Sequence, residues 1–284
     1  MRRQTAWDWK ITADTFLGGV GAGLFTSTLF LHLAGFLETE VRLGLLLGPI
    51  LAILGLLFLL VEIGNPTKLH LVFNNLTSSW MSIGALIQGV FIISSLGYVL
   101  PNFEYFAWLP LEGVTIGLAI GLVAGISGIL LLLYHGFLFS HSKGVPLWNT
   151  PVIPPLFLFL GLFTGLATLL LLEYGIGANV IVLQNIAKIT MLNLIIEGVI
   201  LWSLFTTSTS QAYKRSIEEL KSPAKFGIIA GVGVIIPLFF LSLIAWMEII
   251  EAGILAGVLA LIGGFYTRHL ILQEGRYYPS RIPR

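Results

Sequence analysis

An all-α integral membrane protein with eight transmembrane helices is what this sequence predicts, on three observations. Hydrophobic residues make up 56% of the 284 and charged residues only 10%, with a mean hydropathy of +0.94. A soluble domain carries about 25% charged residues, so this protein cannot cover itself with a wettable surface. Apolar runs of roughly 18 residues or more, long enough to cross the ~30 Å hydrocarbon layer as helices, recur eight times. They are continuously apolar, whereas barrel strands alternate apolar and polar over about ten residues. Backbone in lipid must satisfy its own hydrogen bonds, which leaves helices.

The first span, about 11–36, follows Trp7-Asp8-Trp9 and is crowded by Gly18, Gly19, Gly21 and Gly23, whose small size lets helix backbones approach closely. The second, 42–62, runs from Arg42 to Glu62, and the third, 80–100, starts at Trp80. The fourth, 113–139, carries Gly117, Gly121, Gly125 and Gly128 and ends past Tyr134 and His135. The fifth, 152–174, follows Trp148 as the first follows Trp9. Spans one to four (about 10–140) and five to eight (about 150–272) are therefore expected as two four-helix bundles within a single polytopic membrane domain, 1–284. The sixth, 180–207, the seventh, 225–246, and the eighth, 249–271, complete the set. The longest connections, 63–79, 140–151 and 208–224, leave no room for a soluble domain. Met1-Arg2-Arg3 leads into the first span without a clear cleavage site, so that span is expected to be kept. No glycine-rich segment ends in Lys-Ser/Thr, so the glycines read as packing sites rather than a phosphate loop. Nothing points to nucleic acid, and no metal site is expected.

An even number of spans puts both termini on one face. That face holds Arg2, Arg3, Lys10, Lys68, Lys143, Lys214, Arg215, Lys221, Lys225, Arg268, Arg276, Arg281 and Arg284, while the other holds only Arg42 and Lys188, the latter read as an interfacial anchor. The asymmetry places the basic face in the cytoplasm. The sequence has no cysteine. This excludes a cysteine-ligated iron–sulfur cluster, c-type haem and a thiol nucleophile. A b-type haem needs paired axial histidines at one depth, and only His135 and His269 fall together.

Ionisable groups within spans are costly, so each is a candidate site. Asp14, Glu62, Tyr134 and His135 fall at similar depth beneath the basic face, where converging polar groups suit a molecule with a polar head and a lipid tail. The alternative for Asp14 and Glu62 is helix capping or snorkelling. Thr190, Asn193 and Glu197 share one face of the sixth span, as a hydrated path or proton relay, or else as interhelical hydrogen bonds. His32 lies 18 residues, five turns, beyond Asp14 on the same face of the first span, and a simple hydrogen bond is expected of it. A secondary transporter or an ion- or proton-conducting protein fits the same polar stripe.

Three segments on the basic face are more specific. Trp7-Asp8-Trp9 leads to Phe16-Leu17-Gly18-Gly19. Glu62-Ile63-Gly64-Asn65-Pro66 is followed by Ser79-Trp80-Met81-Ser82. Tyr134-His135-Gly136 is followed by Pro146-Leu147-Trp148-Asn149-Thr150-Pro151. Taken in order, from about residue 7 to 170, they resemble the NrfD/polysulfide reductase membrane-subunit family.

The resemblance implies a haem-free, multi-pass subunit of a prokaryotic cell membrane that binds menaquinone or ubiquinone. It also implies a ferredoxin-like iron–sulfur subunit as partner and, through it, a catalytic subunit, of molybdenum type. The family's acidic residue falls on Glu62, as Glu rather than the usual Asp, and its Tyr-x-Gly on Tyr134 and Gly136. Asp14 and His135 depart from the neutral and small polar residues usual there. A quinone head needs donors to two oxygens and a route for two protons. Tyr134 and His135 can donate, Asp14 or Glu62 can exchange protons, and Trp80, Trp148 and Asn149 are expected around the ring. A basic face suits an acidic partner, expected on loops 63–79 and 140–151. In many relatives that partner docks on the outer face. The charge rule here points to the cytoplasm instead.

Overall fold

The structure is a computed structural model that describes residues 2–5, 7–37, 42–63, 79–106, 108, 114–207 and 210–278; the side chains of residues 62, 63 and 114 are outside the description. Among the described residues, eight helices are long and apolar enough to cross a membrane. They are Trp9–Leu33, Arg42–Ile63, Trp80–Val99, Val114–Ser140, Ile153–Gly175, Val180–Thr206, Pro223–Met247 and Ala252–Gln273. The first starts at Trp9 because the Asp8 carboxylate accepts a hydrogen bond from the Lys10 amide at 2.8 Å, capping the helix. The seventh is widened into a π-helix over Gly227–Ile235. Pro237 follows two residues after its end; it cannot donate to the Gly233 carbonyl and its ring crowds that carbonyl, and the wider ladder before it gives room.

The first span is the centre of the molecule. It is buried on nearly every side and packs on the second, fourth, fifth and eighth spans. Glycine makes this possible. A Cβ on Gly21 would lie 2.4 Å from the Gly48 carbonyl oxygen of the second span, and one on Gly23 would lie 2.1 Å from the Gly161 carbonyl oxygen of the fifth. Contacts of the first span with the fifth, and of the fourth with the fifth, join residues 10–140 to residues 150–272.

The basic end carries one helix inside the expected connection 208–224. Gln211–Leu220 is amphipathic and lies between the sixth and seventh spans. Ser210 caps it by accepting from the Tyr213 amide at 3.2 Å. Ala212, Tyr213, Ser216, Ile217 and Leu220 are buried, while Gln211, Lys214, Arg215 and Glu218 face out. A ten-residue helix with six polar positions never registers as an apolar run. Its anchor is Tyr213, whose hydroxyl donates to the Leu204 carbonyl at 2.5 Å; burial pushes the phenol up to about 12. Tyr213→Phe is expected to cost about 1 kcal/mol, read as faster proteolysis of segment 208–224 with the melting of the bundle little changed.

At the same end, Gln4 N–H donates to the Gly275 carbonyl at 2.8 Å and Tyr277 N–H to the Arg2 carbonyl at 3.1 Å. The two described ends of the protein therefore lie side by side. Trp148 pins loop 140–151 beneath them: its indole donates to the Ile271 carbonyl at 3.0 Å and its ring lies 5.7 Å from Trp7 and 5.6 Å from Phe139. Glu219 lies 2.8 Å from Arg276, 3.4 Å from Arg3 and 3.5 Å from Lys225, and Lys225 reaches Glu274 at 2.7 Å. Partial desolvation pushes the Glu219 carboxyl up, but Lys225, Arg276 and Arg3 outweigh it and hold it below its ordinary value of 4.5. A depressed acid contributes stability above that ordinary value and loses it as pH falls through its folded value. Between pH 7 and pH 3 the wild type is expected to lose more melting temperature than Glu219→Gln. Because Glu219 is over a third exposed, the difference should shrink in high salt.

Candidate functional site

The site is built where four helices meet beneath the basic end. At 1.5 Å per residue, Asp14 lies about 8 Å below Trp9, Tyr134 about 9 Å below Ser140 and Arg268 about 8 Å below Gln273. Asp14 is 4% exposed, Tyr134 7% and His135 2%. Asp14 therefore neither snorkels nor caps; the cap is Asp8. Its Oδ1 is buried without a hydrogen-bond partner among the described residues. Glycines admit each of the larger groups. The Tyr134 ring fills the place of a side chain at Gly84 of the third span, its Cζ 1.8 Å from where a Cβ would be. The His135 ring abuts Gly18 of the first span, with Cε1 3.0 Å from the corresponding point. Neighbouring residues of the fourth span thus serve two sides: Tyr134 faces the third span, within electrostatic reach of Asp14, and His135 faces the first.

Arg268 corrects one sequence expectation. Counted above among the charges of the basic face, it is fully buried in the eighth span. Its Nη1 donates to the Gly264 carbonyl at 3.0 Å, its Nη2 lies 3.0 Å from the Cβ position of Gly19, and its guanidinium stands 5.5 Å from the Phe16 ring centre. Nε and Nη2 have no hydrogen-bond partner among the described residues. It is within electrostatic reach of both His135 and Glu197. The signal for it was in the sequence: Ala256, Ala260, Gly264 and Arg268 recur every four residues, a small-residue face that carries the arginine into the bundle.

The other expected residues are placed as follows. Glu62 is in the last turn of the second span, and its side chain lies outside the described residues, as do residues 64–78 of the expected docking loop. Trp80 packs against His141 at 4.0 Å and Phe137 at 5.8 Å. Trp148 is held in the loop cluster described above. The Asn149 amide donates to the Ser140 carbonyl. The Thr190 hydroxyl bonds back to the Ile186 carbonyl at 2.7 Å. Asn193 and Glu197 are buried, and Asn193 Oδ1 and Glu197 Oε2 have no partner among the described residues. His269 Nδ1 lies 3.2 Å from the Thr12 hydroxyl, and His32 Nδ1 3.4 Å from the Leu37 carbonyl. Lys188 is exposed on the sixth span, where its stem can reach the interface.

Asp14, Tyr134, His135 and Arg268 thus converge from three spans at one depth, with Glu197 one helical turn or so deeper. The group places a hydroxyl, an imidazole, a carboxyl and a fixed positive charge at one level of the bundle, Tyr134 turned to the third span and His135 to the first. Such a set can hold a neutral polar head and move protons to or from it.

Comparison with known proteins bears on what this arrangement serves. Residues 1–279 match the family described as "Polysulphide reductase, NrfD". The C subunit of polysulfide reductase from Wolinella succinogenes is 28% identical over 267 residues, 81% of each protein. The protein NrfD of Escherichia coli K12 is 32% identical over 186 residues and the NrfD homolog of Haemophilus influenzae 30% over 187, each match covering 58% of both proteins. The match therefore spans less than two thirds of the two NrfD proteins.

Proposed function

Because this protein belongs to the NrfD polysulphide reductase family, we propose that it is the quinone-reactive membrane subunit of a respiratory oxidoreductase complex. The observation that carries the reading is the convergence of buried Asp14, Tyr134 and His135 at one depth, with an orphaned Asp14 oxygen. The substrate is a menaquinol or ubiquinol, or the corresponding quinone. Its head lies beneath the basic end, where the Tyr134 hydroxyl and the His135 ring hold its two oxygens. Oxidation of a quinol there releases two protons and two electrons. Asp14, with Glu62 at the end of the second span, accepts protons. The electrons leave to a ferredoxin-like iron–sulfur subunit and through it to a catalytic subunit, of molybdenum type.

That partner docks on the basic end, over loops 63–79 and 140–151, with residues 2–5 and 275–278 beside the latter. We place this end in the cytoplasm on its charge. Thr190, Asn193 and Glu197, reached from the head site through Arg268, form a relay for protons toward the far side.

Tyr134→Phe removes one hydroxyl and little volume, and a severalfold loss of quinol affinity is expected from about 0.5–1.5 kcal/mol of lost hydrogen bonding. Asp14→Asn keeps shape and loses the ionisable group, so turnover should fall more than affinity. Both are read as quinol oxidation and quinone retention in the assembled complex. Wild-type values in both variants would remove the head from this position.

A further inference from the structure

Gln88 is a buried amide beside the head site. It is 3% exposed and shares the inward face of the third span with Gly84, one helical turn deeper. Its Nε2 donates across to the Ala52 carbonyl of the second span at 3.0 Å. That partner is an acceptor only, so the nitrogen end of the amide is fixed on the second-span side.

Three polar side chains meet between the first four spans. The Tyr134 hydroxyl oxygen lies 2.1 Å from the Cβ position of Gly84, and Gln88 follows Gly84 on the same face. Asp14 Oδ1 lies 3.5 Å from the Cβ position of Gly55, three residues beyond Ala52 on the second span. Helix carbonyls point toward the C-terminal end of their helix, which for the second span is the basic end. The Gln88 nitrogen therefore sits between the levels of Ala52 and Gly55, beside the orphaned Asp14 oxygen. Asp14 comes from the first span, Gln88 from the third and Tyr134 from the fourth, and the second span gives a backbone wall.

The plain role for Gln88 is a tie between the second and third spans. The group has more capacity than a tie uses. An amide carries two N–H groups and an acceptor oxygen, and Ala52 takes one N–H and is its one hydrogen-bond partner among the described residues. A buried amide with the rest unmet costs stability, and side-chain bonds between helices in lipid contribute little in return. The amide also differs from its neighbours in that it does not ionise. Its N–H can donate to a quinone carbonyl and its Oε1 can accept from a quinol hydroxyl, so it serves both oxidation states without exchanging a proton.

We propose that Gln88 is a further binding residue of the head site and shares one ring oxygen with Tyr134. A quinone oxygen has two lone pairs, and the Tyr134 O–H and a Gln88 N–H take one each. The inference rests on the function proposed above and narrows it, because it sets the ring among the first four spans, with Asp14 at hand to take the proton.

The test uses the intact complex in phosphatidylcholine nanodiscs. A short-tailed ubiquinol carrying a diazirine on its ring, photolysed in the wild-type complex, is expected to label segment 84–91 as well as 130–137, and excess decylubiquinol should suppress both. Labelling of 130–137 without 84–91 overturns the role of Gln88 and leaves the head site standing; labelling of neither overturns both. Gln88→Met keeps length and bulk and removes both polar ends. It is expected to raise KM for decylubiquinol severalfold and to leave kcat within about twofold, the pattern of a contact made equally to substrate and transition state. Retention of quinone should weaken to the same extent. Ser95→Ala is the control: Ser95 is buried on the same face and its hydroxyl donates to the Phe91 carbonyl of its own helix at 2.6 Å, so KM should not move. A mere helix tie gives the opposite pattern, less assembled complex with an unchanged KM, and that result in Gln88→Met overturns the proposal. Should Gln88→Met fail to assemble, the wild-type labelling decides alone.

Discussion

Gly84→Ala is expected to reduce quinol oxidation by the assembled complex severalfold, as far as Tyr134→Phe does, while the protein still folds. The new Cβ would lie 1.8 Å from Tyr134 Cζ, 2.1 Å from its hydroxyl oxygen and 2.3 Å from Cε1. Atoms do not share such space, so something must move, and the ring is the free end of a side chain. It is the cheapest thing to displace. Overpacking of this kind costs about 1–3 kcal/mol, which a bundle of eight spans withstands, but the hydroxyl leaves the position from which it holds the substrate. Gly89→Ala is the control, because a Cβ there meets nothing within 4 Å. The decisive measurement is the double variant. If Gly84 acts only by seating Tyr134, then Tyr134→Phe should add almost nothing in the Gly84→Ala background, a non-additivity typical of residues in contact. Full additivity would mean that Gly84 shapes the site by another route.

Arg268→Leu is expected to be the most damaging single change to the bundle itself. Arg268 and Glu197 are both buried and within electrostatic reach of each other. Among the described residues no hydrogen bond or ion pair joins them directly, but each lies in the other's field, and removing one member of a coupled buried set is more damaging than replacing both by apolar groups. Arg268→Leu should therefore lower the melting temperature sharply and reduce the amount of assembled complex. Arg268→Leu with Glu197→Leu should restore most of the stability. Proton-coupled turnover should stay lost in the double variant if the sixth-span stripe carries protons. A double variant no more stable than the single would show that the two charges do not compensate each other.

Much of the membrane architecture was legible because lipid enforces it: a run of apolar residues long enough to cross has one way to satisfy its backbone. Asp14, Tyr134 and His135 were legible for the converse reason, since an ionisable or polar group in a span demands an explanation. Arg268 was hidden by its place near the end of the eighth span. There a long cation usually reaches back to the interface, and only the four-residue rhythm of Ala256, Ala260 and Gly264 says that its face turns inward. The helix Gln211–Leu220 was hidden because its polar half breaks every apolar window. Trp148 and Asn149 stood out by their residue types near the interface. Type alone does not distinguish a ring that meets a ligand from one that pins a loop, and the indole's bond to the Ile271 carbonyl depends on a turn of backbone more than a hundred residues away.

The central position of the first span has a consequence for how the protein is made. This helix emerges from the ribosome ahead of the other seven, and it is the least apolar and the most enclosed of the eight. The glycines that seat it against the fifth span, Gly23 facing Gly161 and Gly165, face a partner not synthesised until more than a hundred residues later. In the interval its fifth-span face must rest against lipid or against the insertion machinery. Final assembly is thus a late event, in which the fifth and eighth spans close around a helix that entered the membrane before either of them. Replacing Gly23 with a bulky residue would therefore act at that closing step, after every span is already inserted.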